Sequence, residues 1–250
     1  LVQPRTYQEN VDIDKSVDIT GVNAARPIVV DGSANKDSVF TIYEGAEVTL
    51  SHMTITGGSG TDTGLGYGHG GGIDNRGDLT VIDCVITDNT AGSAGGIGNS
   101  GELEVIGTTI SYNTAGVNYE GVVIGGDGGG IYSVGPLTLS NCEIFGNTAA
   151  WDGGGIVVGG NSVAVIDNCN INDNEAFGGA ASWHAGGGIF ITDGGKATLT
   201  NSDVSDNTAA QGSGVMILSY LGSEINSGEG IPLDTTQIHD NIGGEDITYV

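Results

Sequence analysis

Only six side chains in this sequence are cationic, Arg5, Lys15, Arg26, Lys36, Arg76 and Lys196, against 31 Asp and Glu, and the formal charge is −25. That balance limits the chemistry available. Removing a proton beside a uronate carboxylate requires a cation to neutralise the substrate and a base to take the proton. The six cations are scattered and the negative field repels a polyanion, so lyase action is disfavoured. Nucleic acid and anionic lipid, which need clustered cations, are excluded as partners on the same ground. Cys84, Cys142 and Cys169 are odd in number and lack zinc-like spacing, which indicates neither a disulfide framework nor a metal knuckle. The carboxylates offer more. Asp173, Asp206 and Asp240 each stand one residue before a recurring Asn, and stacked carboxylates repel unless a cation or high salt intervenes. Oxygen donors of this kind suit calcium, the one cofactor the composition suggests, although neither an EF-hand loop nor a calcium-binding nonapeptide array is present. A solvated acidic face is the alternative.

What must position these residues is a repeat. HGGGIDNRGDLTVIDCVITDNTA, AGGIGNSGELEVIGTTISYNTA, GGGIYSVGPLTLSNCEIFGNTA, GGGIVVGGNSVAVIDNCNINDNEA and GGGIFITDGGKATLTNSDVSDNTA are copies of one unit, and a sixth, degenerate copy runs from Gly214 to Asn241. The closing residue forms a column of Asn89, Asn113, Asn147, Asn174, Asn207 and Asn241. Three residues earlier the column reads Ile86, Ile110, Ile144, Ile171, Val204, Ile238. Five earlier it is Cys84, Thr108, Cys142, Cys169, Ser202, Thr236, and eight earlier Val81, Val105, Leu139, Ile166, Leu199, Leu233. Leu50, Met53 and Ile55 fall in the same apolar columns, with Gly58 where the Asn would stand.

Apolar residues two apart on short β-prone runs, broken by Asn, Asp and Gly, predict strands with one buried face. No 3.6-residue stripe with caps appears. Strands recurring about every 24 to 34 residues cannot each bury their own face and must stack copy upon copy. The predicted fold is all-β, a single parallel β-helix of about eight rungs, roughly 40 Å long at about 4.8 Å per rung. It takes 1–250 as one domain, with N-terminal rungs in 1–58, the repeats in 59–213 and the last rung and C-terminal segment in 214–250. An inward Asn at each corner can bond the backbone and the Asn of the next rung. The cysteines, sharing a column with Thr and Ser, read as core.

The pattern GGGI…G-x-L-x-V…C/S-x-I-x-x-N-x-A resembles the right-handed parallel β-helix repeat of extracellular surface proteins. It is similar to the polymorphic outer-membrane-protein-type repeats of the pectate-lyase-like superfamily, over roughly residues 7–241. The resemblance implies a right-handed helix and an extracellular or cell-surface location. It selects no function, because that superfamily holds lyases, hydrolases, adhesins, autotransporter passengers and filament subunits. Gly68-His69-Gly70 echoes a string of the polygalacturonases, whose Asn-Thr-Asp, Asp-Asp and Arg-Ile-Lys companions are absent from this sequence.

Function in a solenoid sits where the copies differ. Connectors alternate between long (Ser59 to His69, Gly116 to Asp127, Phe177 to Ala185) and short (Gly92 to Ala94, Ala150 to Asp152, Ala210 to Ser213). All leave one corner, which puts Tyr67, His69, Tyr119, Trp151, Phe177, Trp183 and His184 on one face. Aromatic rings on an acidic surface suit sugar stacking or protein contact; covering the corner is the plainer role. The last rung carries an insertion from Leu218 to Gly230, and neither end shows a capping helix. Leu1, Val2, Ile247, Tyr249 and Val250 then offer β-prone edges for self-pairing. Apolar runs of four or five residues are too short for a bilayer helix, and a start at Leu1 fits a mature secreted chain or a fragment. The function expected is a secreted, non-enzymatic subunit of an extracellular or cell-surface filament, joined end to end through its terminal rungs. The alternatives are a carbohydrate-binding or polysaccharide-degrading β-helix with a glycan partner, and an adhesin or passenger fragment.

Overall fold

Residues that the repeat puts in one column lie one above another in space. The computed structural model describes residues 3, 5–22, 28–60, 70–119, 122–124, 126–178, 185–218, 224–226, 237–239, 241–243 and 247–249. Among these the regular elements are all short strands. One parallel sheet of nine strands runs from Thr6–Gln8 to Gln237–His239, a second of nine from Val11–Ile13 to Ile247–Tyr249, and a third of eight from Val17–Thr20 to Glu224–Asn226. A six-stranded ladder of two-residue strands, Thr90–Ala91 to Ile242–Gly243, closes the corner after each Asn. Successive strands enter different sheets, so the chain winds, and nine strands in a sheet make nine rungs, one more than the eight expected. The fold is the parallel β-helix that the columns predict.

The register follows those columns. Tyr7, Val30, Ile55, Ile86, Ile110, Ile144, Ile171, Val204 and Ile238 stack in order through the first sheet. Leu50, Val81, Val105, Leu139, Ile166 and Leu199 do the same in the third. These side chains meet in the middle of the coil as one continuous core. Burying a stacked aliphatic contributes about 1.5–3 kcal/mol per side chain, and here it recurs at every rung.

Corners are set by backbone sign. Gly57, Asp88, Tyr112, Gly146, Asp173 and Asp206 occupy one column and all have φ between 53 and 73°. Gly, Asp and Asn adopt this left-handed region most readily, which is why they recur before the closing Asn. Asp173 and Asp206 are thus exposed corner residues whose type the turn selects; Asp240 lies outside the described residues. Tyr112, the exception, packs edge-on against Phe145 with ring centroids 5.3 Å apart.

The Asn ladder is continuous. The side-chain amide of Asn89 donates to Oδ1 of Asn113 (3.0 Å), and the same bond repeats from Asn113 to Asn147, Asn147 to Asn174, Asn174 to Asn207 and Asn207 to Asn241. Each Oδ1 also accepts the backbone N–H of the rung before, beginning with Gly58 onto Asn89 at 2.9 Å. The second amide hydrogen reaches a main-chain carbonyl, as from Asn113 to Ile86 and from Asn147 to Ile110. Every donor and acceptor of an interior ladder Asn is used, and Asn89 through Asn207 have no exposed surface.

Two features depart from the sequence reading. The first is a second polar column, Asn75, Asn99 and Ser133, which bonds upward in the same manner (2.8 and 2.9 Å) and then changes to Val158, Ile191 and Ile217. The second concerns the last rung. Leu233 was expected beneath Leu199, yet Lys196–Thr198 pairs with Glu224–Asn226, inside the segment read as an insertion. Counting back from Asn241 puts Leu233 in that column, whereas extra residues lie between this strand and Gln237–His239 and shift the register. Within the connector from Gly116 to Asp127, Val117–Tyr119 and Val122–Ile124 form an antiparallel hairpin.

Replacing Asn147 by Leu strands the amide and backbone N–H groups of Asn113 and one carbonyl, that of Ile110. We expect a loss of about 2–4 kcal/mol, and under about 2 kcal/mol for Asn241→Ala at the half-buried end of the ladder. Urea denaturation of both variants beside the parent checks the difference.

Candidate functional site

The outward side of the second nine-stranded sheet changes character along the coil. Its central column reads Asp74, Gly98, Tyr132, Val157, Phe190, Met216. The connector corner folds over this side, bringing Gly128, Gly153, Gly186 and Gly212 against Tyr132, Val157, Phe190 and Met216. Val157, Phe190, Met216 and Leu218 form a second, dry cluster with Tyr132 packed at its margin. Where the column turns small and polar the cover parts, leaving a cleft of about 310 Å³ bounded by Asp74, Gly98 and Tyr132 below and by Gly70, Ser93, Ala94 and Asp127 at the corner. That volume is at the lower end for small-molecule sites. Gly98 is required there, since a Cβ would meet the Gly70 nitrogen at 2.7 Å.

Carboxylates dominate its chemistry. Asp74 is buried, and Arg76 donates to its Oδ2 through both Nη2 (2.6 Å) and Nε (3.0 Å). Asp127 lies at the close of a long connector and Asp152 at the close of the next short one. Consecutive rungs bring them together: Gly128 N–H donates to the Asp152 carbonyl (2.9 Å), and Asp152 N–H donates to Asp127 Oδ1 (3.2 Å). Burial first, and then the charge of Asp127, pushes the Asp152 carboxyl up to about 7. Burial also raises Asp127 to about 6, opposed by the N–H of Asp152 and reinforced by the charge of Asp193. Oδ1 of Asp152 is buried without a hydrogen-bond partner.

The residues expected to face a partner are only partly placed. Trp151 is half-buried beside Asp152, with its N–H on the Gly126 carbonyl (3.0 Å) and its carbonyl accepting from Gly178 N–H (2.9 Å). Phe177 is exposed, and Tyr119 belongs to the connector hairpin. Tyr67, His69, Trp183 and His184 lie outside the described residues. Of the residues expected at the ends, Leu1, Val2 and Val250 also lie outside them, while Ile247 and Tyr249 pair with Val215 and Ile217. Cys84, Cys142 and Cys169 are buried, unbridged and inward, as their column implies. Burial raises the Cys84 thiol to about 11, and the Cys169 thiol donates to the Asp167 carbonyl at 3.3 Å.

Asp74, Gly98, Tyr132, Asp127 and Asp152 were not singled out from the sequence. A signal existed: Ser93, Asp127, Asp152, Ala185 and Gln211 share one position, each preceding the residue whose N–H or carbonyl joins the next rung. Two consecutive acids in a column that is otherwise small or neutral are conspicuous only once the connectors are aligned from their ends.

Comparison with known proteins adds one finding. A family model described as a right handed beta helix region matches residues 38–242. No curated protein and no solved structure matches.

The two raised carboxyls set a pH dependence. Unfolded, both titrate near 3.8; folded, near 6 and 7, so the native state holds extra protons in between. Their stabilising contribution is complete below about pH 4 and is lost as the pH rises through about 6 to 7. In metal-free buffer, Asp152→Asn should therefore flatten the decline between pH 5 and 8 and be more stable than the parent at pH 8, by on the order of 1–3 kcal/mol. Denaturant melts at the two pH values measure it.

Proposed function

This chain belongs to the right-handed β-helix family, and we propose, from that premise and from the cleft, that it is an extracellular or surface protein that binds a neutral polysaccharide. The observation that carries the reading is the juxtaposition of a small floor at Gly98, the Tyr132 ring and two carboxyl groups of different character. Asp74, held by Arg76, can accept from sugar hydroxyls. Asp127, with its raised pKa, can both donate and accept near neutral pH. A ring beside such groups suits an apolar sugar face. The one arginine near this floor is already engaged by Asp74, and the net charge of −25 opposes an acidic polymer, so the neutral glycan is the better fit. Binding without chain cleavage is the activity proposed.

Titration calorimetry with neutral gluco-, manno- and xylo-oligosaccharides, beside oligogalacturonate, tests this. We expect saturable binding of at least one neutral series, weakened about tenfold or more by Tyr132→Ala and by Asp127→Asn. No binding of any neutral series, or binding untouched by both changes, would overturn it.

End-to-end assembly is a second reading, favoured by one observation: among the described residues, Thr6–Gln8, Val11–Ile13 and Val17–Thr20 each have a sheet neighbour on one side. Glu9, Asp12, Asp14 and Asp18 crowd this edge, and charges of this kind oppose edge pairing. Assembly should therefore appear as salt screens them. Negative-stain microscopy across a salt series decides: filaments at high salt support this reading, and monomers throughout remove it.

A further inference from the structure

Asp127 and Asp152 break the rule that governs the two Asn columns. A buried Asn can stack on its own kind because it donates and accepts; a carboxylate only accepts. Yet these two acids sit on consecutive rungs, both largely withdrawn from water, and Asp152 is only 9% exposed. The charges acting on them are again carboxylates, Asp193 on Asp127 and Asp127 on Asp152. The Asp152 N–H satisfies one oxygen of Asp127, whereas Oδ1 of Asp152 meets no donor. An unpartnered buried carboxylate oxygen beside a second carboxylate calls for positive charge. The same left-handed turn follows this position on the neighbouring rungs, at Ala94, Gly128, Gly153, Gly186 and Gly212, so the two acids share one corner geometry with Ser93. Ser93, buried on the preceding rung, brings a hydroxyl to the same column and lines the cleft with Asp127.

We propose that Asp127 and Asp152, with Ser93 beside them, form a binding site for a hard divalent cation, calcium by the chemistry of its donors. All are oxygen ligands, which calcium takes at a flexible coordination number. No three acidic, His or Cys side chains converge among the described residues, so main-chain carbonyls and water complete the shell. The cleft that Asp127 lines supplies the entry path and room for that water. The site does not depend on glycan binding, and Asp152 is not among the residues lining the cleft, so the two readings can fail separately. It is also distinct from the outward column of Asp173 and Asp206, whose residue type the turn explains.

Trp151 adjoins Asp152 and provides the readout. Terbium, a calcium surrogate, should show tryptophan-sensitised emission with the full chain at pH 8, displaced by calcium, and calcium should raise the melting temperature at that pH. Asp152→Asn should weaken both effects about tenfold or more, whereas Asp173→Asn with Asp206→Asn should leave them intact. Trp151→Phe should lose the emission but keep the calcium-induced rise, which keeps the test decisive should the Asp152 variant fail to fold. Three results would each overturn the site: neither emission nor a thermal rise in the parent, Asp152→Asn binding as tightly as the parent, or loss of binding through the Asp173 and Asp206 changes instead.

Discussion

In-register parallel hydrogen bonding is the constraint on which this molecule rests. It stacks each residue on its counterpart one rung away, about 4.8 Å distant, so a residue type is admissible in a buried column only if it tolerates its own likeness. Aliphatic side chains do, and the Ile86 column is nearly uniform for that reason. Asparagine does because its amide is self-complementary, and the ladder from Asn89 to Asn241 exploits both ends of it. Left-handed corners favour Gly, Asp and Asn, and most of the residues found there are of these types, with His52, Ala94 and Tyr112 the exceptions.

The same constraint explains why exceptions carry information. Proteins depart from local rules mainly where function demands it. Asp74 stacks on Gly98, not on another acid, and is paired with Arg76. Asp127 and Asp152 have no such relief, and their raised pKa values express the conflict directly. The cleft forms where the outer cover of Val157, Phe190 and Met216 gives way to Gly98, and Asp127 lines it.

How much of this was legible in the sequence follows from what repetition reveals. Columns internal to the repeat, Ile86 or Asn113 among them, can be read because five copies say the same thing. The polar column at Asn75 escapes notice because it persists for only three rungs before Val158 replaces it. The last strand of the third sheet was misplaced because its rung carries extra residues on the far side of Glu224–Asn226. The cleft was hidden for a different reason: Asp74, Gly98 and Tyr132 occupy the variable position after each Gly-Gly-Ile, and nothing in a linear string says that a connector from another rung will roof it.

Ser133 shows how a hydrogen-bonded column can be brought to a stop. Its hydroxyl takes the last amide proton from Asn99 and spends its own on the carbonyl of Gly135 in the same turn, so nothing is demanded of Val158 above. The interior is thereby divided at a seam. A duplicated or deleted turn on the far side of Ser133 leaves the Asn75 column intact, whereas removing the turn that carries Ser133 would set Asn99 against Val158 and leave an orphan amide behind. Lengthening of such a chain during evolution is therefore easiest beyond that serine, where neighbouring turns agree only on Asn and on grease.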